Sequence, residues 1–416
     1  MRMINKEKLY QTAYAFKNEN LWRLLTDEQI FAVQHEDGTI SYCSVLGRLG
    51  QNYALNVYTG PEGLTTYKRL IEFASKNMGH ADEDPFVSGE LTCMQECLSC
   101  SFENLELVED DQEKEIRKYA KKLGINLRLP NMYACMYHMT PGVYPYLIQS
   151  EKDVEIMGDA LEAGIVFSRQ IHEGKIRAIE ILPQSIAPSI FLLSRRNGKW
   201  EIGETKLPDV KFSYPAPQFN NELIQVKIKK LKKTETWQMG MIYGSFYVGN
   251  PSDPQKHAFF PLILMAFTEE TNYVRVVHMA EENQEDPQKF LADLADQIVQ
   301  SGTCPKIIRC RDERCYHFLE DFCRKTGIEI DDKGNTSSLL GFEKDFCDHM
   351  NSQAAASGED ETLPEVMMEA VFENIRQMSD REMLSLPMGV KQAIKNLSIQ
   401  GLLPPDLNRR VKKLLK

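Results

Sequence analysis

The residues of this chain best spaced for chemistry are three cysteines and a Cys/His pair. Cys93-x3-Cys97-x2-Cys100 is followed downstream by Cys135-x2-His138. Thiolates three and four residues apart can chelate one soft metal, and Cys97, Cys100, Cys135 and His138 together would make a tetrahedral zinc site. The same three-cysteine spacing occurs in radical enzymes that hold an iron–sulfur cluster, but such enzymes need a barrel of eight strand–helix units, and no such run is present. The plainer reading makes these cysteines small buried hydrophobes on a helix or strand. That reading is adopted, with no cofactor or metal assigned, no catalytic residue named, and those four side chains kept as the weak metal candidates.

Carboxylates come next. Ribonuclease-H-like nucleases hold two magnesium ions with one carboxylate on the first strand, one at the end of the fourth and one on a late helix. Asp312 or Glu313 stands just past a strand at Lys306 to Cys310, and Glu343, Asp345 and Asp348 stand on the late helix. The first ligand is missing, because neither Met241 to Val248 nor Phe259 to Phe267 contains Asp or Glu. Two metals without their central ligand are poorly held, so this part of the chain reads as an inactive form of that architecture. No phosphate-cradling glycine loop, Gly-x-Ser-x-Gly elbow or His-Glu-x-x-His pair occurs.

Lys227, Lys229, Lys230, Lys232 and Lys233 form the densest positive run, with a second at Arg409, Arg410, Lys412, Lys413 and Lys416. Such patches can track phosphates. Leu223, Ile224, Ile228 and Leu231 nevertheless space like the buried stripe of a helix whose basic face is simply solvated. The net charge of -11 repels phosphate backbones and acidic membranes globally. Met1 to Leu25 reads as an amphipathic helix and not as a signal peptide. The most apolar run, Ala258 to Phe267, is far too short to span a bilayer. These features predict a cytoplasmic protein whose ten cysteines stay reduced.

The elements that would position these residues are well punctuated. A helix to about Leu25 precedes strands Gln29 to Gln34, Ile40 to Leu46 and Tyr53 to Tyr58, with a hairpin turn at Asp37-Gly38. A helix then runs from Gly60 to about Asn77. Further on, the pattern predicts a helix over Asp110 to Leu123 capped by Gly124, a strand over Met132 to Met139, a helix from the Ser150 cap to about Ser168, and a hairpin around Asn197-Gly198. After a break at Tyr214-Pro215-Ala216-Pro217 come a short helix from Asn221 and strands Trp237 to Val248, Phe259 to Phe267 and Tyr273 to Ala280. The helix capped by Asp286-Pro287, strand Lys306 to Cys310, a helix ended by Gly327, strand Ile328 to Ile330 and a helix from Ser337 complete the alternation.

This order divides the chain into an α+β module at 1–80 and a second at 81–213, either separate or joined with the first in one domain. An α/β domain follows at 218–350, then a flexible linker at 351–362 and a helical tail at 363–416. Ser379 and Glu382 read as a capping box in that tail. The fold class is thus α+β N-terminal modules plus a mixed-sheet, ribonuclease-H-like α/β domain and a short all-helical tail.

Two sets of motifs carry a resemblance. In the first half they are Trp22-x-Leu-Leu-x-Asp27, Phe31-Ala-Val, Tyr42-x-Ser-Val-Leu-Gly47, Tyr53-x-Leu-x-Val-Tyr58-x-Gly60-x2-Gly63 and Pro141-Gly-x2-Pro145-Tyr. In the second they are Phe259-Phe-Pro261, Gly302-x2-Pro305-x-x-Ile308-x-x-Arg311-Asp312 and Gly327-Ile328. With these the chain resembles uncharacterised bacterial proteins made of paired domains of unknown function. Tyr146 stands where that pattern leads us to expect Trp, which changes packing and not chemistry. The resemblance implies a shared fold and supplies no activity. With strong fold signals and no assembled catalytic set, the leading expectation is a non-catalytic binding or adaptor protein with no membrane role. Its partner is an unknown macromolecule, protein ahead of nucleic acid, and its oligomeric state is unspecified. The alternatives are a nucleic-acid-associated protein with an inactive ribonuclease-H-like domain, and a zinc-binding module or metal-dependent enzyme.

Overall fold

A computed structural model describes residues 6–50, 52–77, 85–250, 256–270, 273–356 and 403–414, with the single residues 376, 380, 383 and 398. The first half is built on one sheet. Helix α1 (Lys6–Glu19) precedes strands β1 (Phe31–Gln34), β2 (Ile40–Leu46) and β3 (Ala54–Thr59). Gly38 takes a φ of 84° in the β1–β2 turn, and Asp37 Oδ1 accepts from the Thr39 amide. Helices α2 (Gly60–Asn77) and α3 (Pro85–Cys93), β4 (Cys97–Glu103), α4 (Asp110–Leu123), β5 (Tyr133–Met139), β6 (Tyr146–Leu147), α5 (Glu151–His172), β7 (Ile190–Arg196) and β8 (Lys199–Thr205) follow.

The strand order is β6-β5-β4-β3-β2-β1-β7-β8. All neighbours are antiparallel except β1 and β7, where Ala32 aligns with Leu192. Through the β3–β4 and β1–β7 pairs, segments on both sides of residue 80 enter one sheet. Its two faces are both covered. Leu9, Phe16, Ile116, Met157 and Leu161 from α1, α4 and α5 bury one face, while Leu64, Tyr67 and Ile71 from α2 bury the other. α5 runs four residues past the expected Ser168 and packs against α1. A Cβ at Gly164 would lie 2.7 Å from Phe16 Cε2, so glycine is what lets that ring sit on the helix.

The second half opens with α6 (Glu222–Lys230) and a long strand β9 (Lys232–Tyr243). β9 starts five residues before the expected Trp237, since its polar first residues still pair with β12 (Thr303–Cys310) in parallel. Strands β10 (Leu262–Thr268) and β11 (Tyr273–Met279), α7 (Pro287–Ser301), α8 (Glu313–Thr326), β13 (Glu329–Asp331) and α9 (Ser337–Ala356) complete the domain. The sheet order is β11-β10-β9-β12-β13, antiparallel on the β10 side of β9 and parallel on the β12 side. Counted within the domain this is 3-2-1-4-5, the topology of a ribonuclease-H-like sheet. The core formed by α6, α7 and α8 covers one face; Leu339 and Cys347 of α9 meet Ile242, Ile263 and Met265 on the other.

Residues 351–356, expected to begin a linker, continue α9. The proposed capping box at Ser379 and Glu382, and the rest of the tail up to a helix α10 (Pro405–Leu414) that buries Leu407 and Val411, lie outside the described residues apart from the four single positions. Among the described residues no helix is long and apolar enough to cross a membrane.

The two halves are joined by backbone. The Tyr144 amide donates to the Ala258 carbonyl at 2.9 Å and the Phe260 amide to the Gly142 carbonyl at 2.8 Å. The Tyr146 and His257 rings stack at 3.7 Å between centroids. Thus Pro141-Gly-x2-Pro145-Tyr and Phe259-Phe-Pro261, which carry the resemblance in each half, meet one another across the junction.

Candidate functional site

The four weak metal candidates are not brought together. Cys97 and Cys100 share strand β4, where side chains alternate, so they face opposite sides of the sheet. Cys97 Sγ lies 3.8 Å from Met139 Sδ in the core beside α2, whereas Cys100 and Cys135 sit in the core beneath α1 and α5. Burial pushes the Cys97 and Cys135 thiols well up and that of Cys100 to about 12, the opposite of what thiolate ligation needs. His138 is already engaged, with Nδ1 3.1 Å from Asp153 Oδ2 and Nε2 3.7 Å from Glu96 Oε1. Burial opposes its charge, but the two carboxylates win and raise its pKa to about 9. Among the described residues no group of three His, Cys, Asp or Glu side chains could hold a metal ion.

Another histidine, His35, forms an ordered chain. Asp159 Oδ2 lies 3.1 Å from His35 Nδ1, and His35 Nε2 lies 2.8 Å from Ser41 Oγ. The connectivity is that of a nucleophile, base and orienting acid. Ser41 is fully buried, its Oγ also meets Thr59 Oγ1 at 3.0 Å, and Arg195 holds Asp159 at 3.2 Å. No substrate reaches an oxygen so enclosed; the group satisfies buried polar atoms.

The second domain has a more informative centre. β9 is its middle strand, on which Gly240 pairs with Met265 of β10. Arg311 follows β12, its amide donating to the Met239 carbonyl at 2.8 Å. Asp312 caps α8 by accepting from the Cys315 amide at 2.8 Å. Glu343 comes inward from α9, while Asp345 and Asp348 on the same helix are exposed. Arg311 Nε is 3.1 Å from Glu343 Oε2, and Arg311 Nη2 is 3.1 Å from Asp312 Oδ2. The side chains of Arg311 and Glu343 are 6% and 0% exposed, so each opposite charge offsets the cost of burying the other. Burial raises the Asp312 pKa in spite of Arg311.

These residues do not fit a pair of magnesium ions. Two-metal sites need several carboxylates converging on ions about 3.5–4 Å apart. Here a guanidinium takes the place of the cation between the two remaining acids. β9 has no room for another side chain beside them: a Cβ at Gly240 would collide with Glu343 Oε1 and lie 3.1 Å from Arg311 Nε. Asp312 and Glu343 are the acids the sequence offers here, and Arg311, in the sequence only part of a structural motif, sits between them. Its signal was its position, immediately before Asp312 at the strand end.

The first domain closes against the same end of β9. Glu90 on α3 accepts from Tyr214 Oη at 2.6 Å and pairs with Arg69 of α2 at 3.0 Å and Arg314 of α8 at 3.3 Å. The Arg69 guanidinium stacks 3.6 Å from the Phe212 ring centroid, and Tyr243 at the end of β9 donates to Met94 Sδ at 3.3 Å. Burial works against Glu90, yet Arg314, Tyr214 and Arg69 together hold its pKa below the usual carboxylate value. The Tyr214-Pro-Ala-Pro segment is therefore anchored at Tyr214 and not a free spacer.

Residues 7–185 match the family model of a domain of unknown function, DUF7309, and residues 223–347 that of another, DUF6930. The chain carries these two domains in tandem. No curated protein matches it. Among solved structures, the catalytic core domain of the HTLV-2 integrase in complex with magnesium, in its trimeric form, is 12% identical, covering 36% of this chain and 89% of that one at a TM-score of 0.21. Its dimeric form gives 12%, 36%, 90% and 0.22. A likeness of that size carries no argument, and the topology described above rests on the strand pairing alone.

Proposed function

We propose that this tandem-domain protein works without catalysis, as a binding or adaptor protein in the reducing cytoplasm whose partner is another protein. The observation that carries this reading is the Arg311 guanidinium seated between Asp312 and Glu343 beneath Gly240. A side chain that cannot lose its charge neutralises the two acids from within. The ten cysteines, all present as thiols, suit a reducing compartment. The test is to incubate the purified chain with an RNA–DNA hybrid, duplex DNA and single-stranded DNA in the presence of Mg2+ or Mn2+. Intact substrate is expected; cleavage that disappears in Glu343→Gln would overturn the proposal.

A second reading is favoured by one observation, the exposed lysines on α6 and at the start of β9, which would suit a nucleic-acid partner. It predicts retention on DNA or RNA that weakens steeply with salt.

A further inference from the structure

The nine-residue helix α6 is seated by little. Ile228 is its one fully buried side chain, with Ile224 and Leu231 partly buried against the α7 and α8 core, and the helix is capped by Asn221 Oδ1 accepting from the Ile224 amide at 3.2 Å. Sequence periodicity placed Leu223 on the buried stripe. The structure turns it outward, 78% exposed, with Val226 beside it at 51%. Leu223, Val226, Lys227 and Lys230 fall at i, i+3, i+4 and i+7, a single face of the helix.

Positive charge is dense on that face and beside it. Lys227, Lys229, Lys230 and Lys232 are exposed, and among the described residues none of the four makes an ion pair or a side-chain hydrogen bond. Some surface lysines are matched, Lys6 with Glu115, Lys122 with Glu7 and Lys289 with Glu285, and others such as Lys121 and Lys199 are bare singly; here four bare lysines stand within six residues. Glu222 in the first turn of α6 is the one acid on the helix. On a protein of net charge -11, a bare basic patch concentrates the local positive potential.

We propose that the outer face of α6, extended by Lys232, docks an acidic segment of a partner protein that also carries aliphatic side chains. The claim deepens the adaptor reading and rests on it. An acidic–aliphatic segment satisfies both halves of the face at once, burying Leu223 and Val226 while its carboxylates meet the lysines. Single-stranded nucleic acid would use the lysines but leave two aliphatic groups idle, because base recognition on such surfaces depends on aromatic platforms, and this helix has no aromatic residue. Two aliphatic side chains on so short a helix are also too small an apolar face to hold a membrane surface.

The test is a selection from a displayed library of random peptides on the immobilised full chain, followed by fluorescence anisotropy of the enriched peptides. Lys227→Glu/Lys230→Glu and Leu223→Ser/Val226→Ser serve as variants, since all four positions are exposed and circular dichroism should show both folded. The expected result is enrichment of Asp and Glu interleaved with Leu, Ile or Val, weakened about tenfold or more by the charge reversal and severalfold by the serine pair. Labelled single-stranded DNA and phosphatidylserine vesicles are run alongside. No enrichment, peptides without acidic character, or binding of the DNA or the vesicles that either variant abolishes would overturn the proposal. Peptides that bind wild type and variants equally would sink this surface but leave the adaptor reading standing, whereas substrate turnover in the cleavage assay would remove that reading.

Discussion

Replacing Arg311 by methionine keeps most of the side-chain volume and removes only the charge and its donors. In the wild type Glu343 is fully buried, with its Oε2 3.1 Å from Arg311 Nε, and Asp312 Oδ2 lies at the same distance from Arg311 Nη2. Breaking a buried pair from one side costs about 3–5 kcal/mol, because the remaining charge stays in a poor dielectric without compensation. The buried carboxylate at 343, deprived of the Arg311 charge, escapes part of that cost by taking up a proton. A carboxyl whose folded form resists ionisation loses stability as pH rises above its unfolded pKa. The penalty of Arg311→Met should therefore be largest at neutral pH and shrink toward pH 4. Hydrogen exchange followed by mass spectrometry on peptides from β9 reads the opening of this domain directly. Arg311→Met/Glu343→Gln should recover the part of the loss that comes from Glu343, leaving the part due to Asp312. A single-variant penalty under about 1 kcal/mol at pH 7, or one independent of pH, would refute the buried-pair reasoning.

Three other results are expected. Glu90→Ala strands Arg69 and Arg314 at the junction, where Glu90 is 14% exposed, and should cost about 3 kcal/mol, seen as faster proteolysis between residues 206 and 220 with both sheets intact. His138→Gln removes a cation whose pKa is raised from 6.5 to about 9 by Asp153 and Glu96 against burial; its stabilisation is complete below pH 6.5 and fades toward pH 9. The variant should thus lose on the order of 1–2 kcal/mol at pH 6 and nothing above pH 9.5 in urea titrations. Gly164→Ala drives a methyl against Phe16 and should lower the thermal midpoint, by about 1–3 kcal/mol of overpacking strain; an unchanged midpoint would mean that the α1–α5 contact is looser than described.

Much of the fold was legible because its boundaries are marked by residues with local reasons to be there. Ser150, Asn221, Asp286 and Asp312 cap helices with their side-chain oxygens, and Gly124, Gly302 and Gly327 end helices in the left-handed conformation. Asn197 and Gly198 both take positive φ between β7 and β8, as a tight hairpin requires. What was not legible depends on contacts distant in sequence. The β1–β7 pairing joins residues some 160 positions apart, and nothing near Phe31 or Ile190 announces it. Glu90 meets Arg314 across 224 positions. Lys232 to Thr236 is polar enough to look like loop, yet is strand because β12 lies alongside. Leu223 fits a buried stripe by periodicity and is exposed because α6 rests on Ile228 alone among its fully buried side chains.

The centre of the second domain shows the same limit. Asp312 and Glu343 could be picked out as acids in the expected places, and the absence of the first-strand acid could be read directly. That an arginine next to Asp312 would fill the gap could not, because the contact depends on α9 bringing Glu343 over Gly240.

The most direct measurement is a Mn2+ titration of the full chain followed by electron paramagnetic resonance of the free ion, with Glu343→Gln as control. If Arg311 is the permanent counterion of Asp312 and Glu343, wild type and control should show the same weak, non-saturating uptake at millimolar Mn2+. A saturable site in the wild type that Glu343→Gln abolishes would mean that metal displaces the guanidinium, and would contradict the account at its centre.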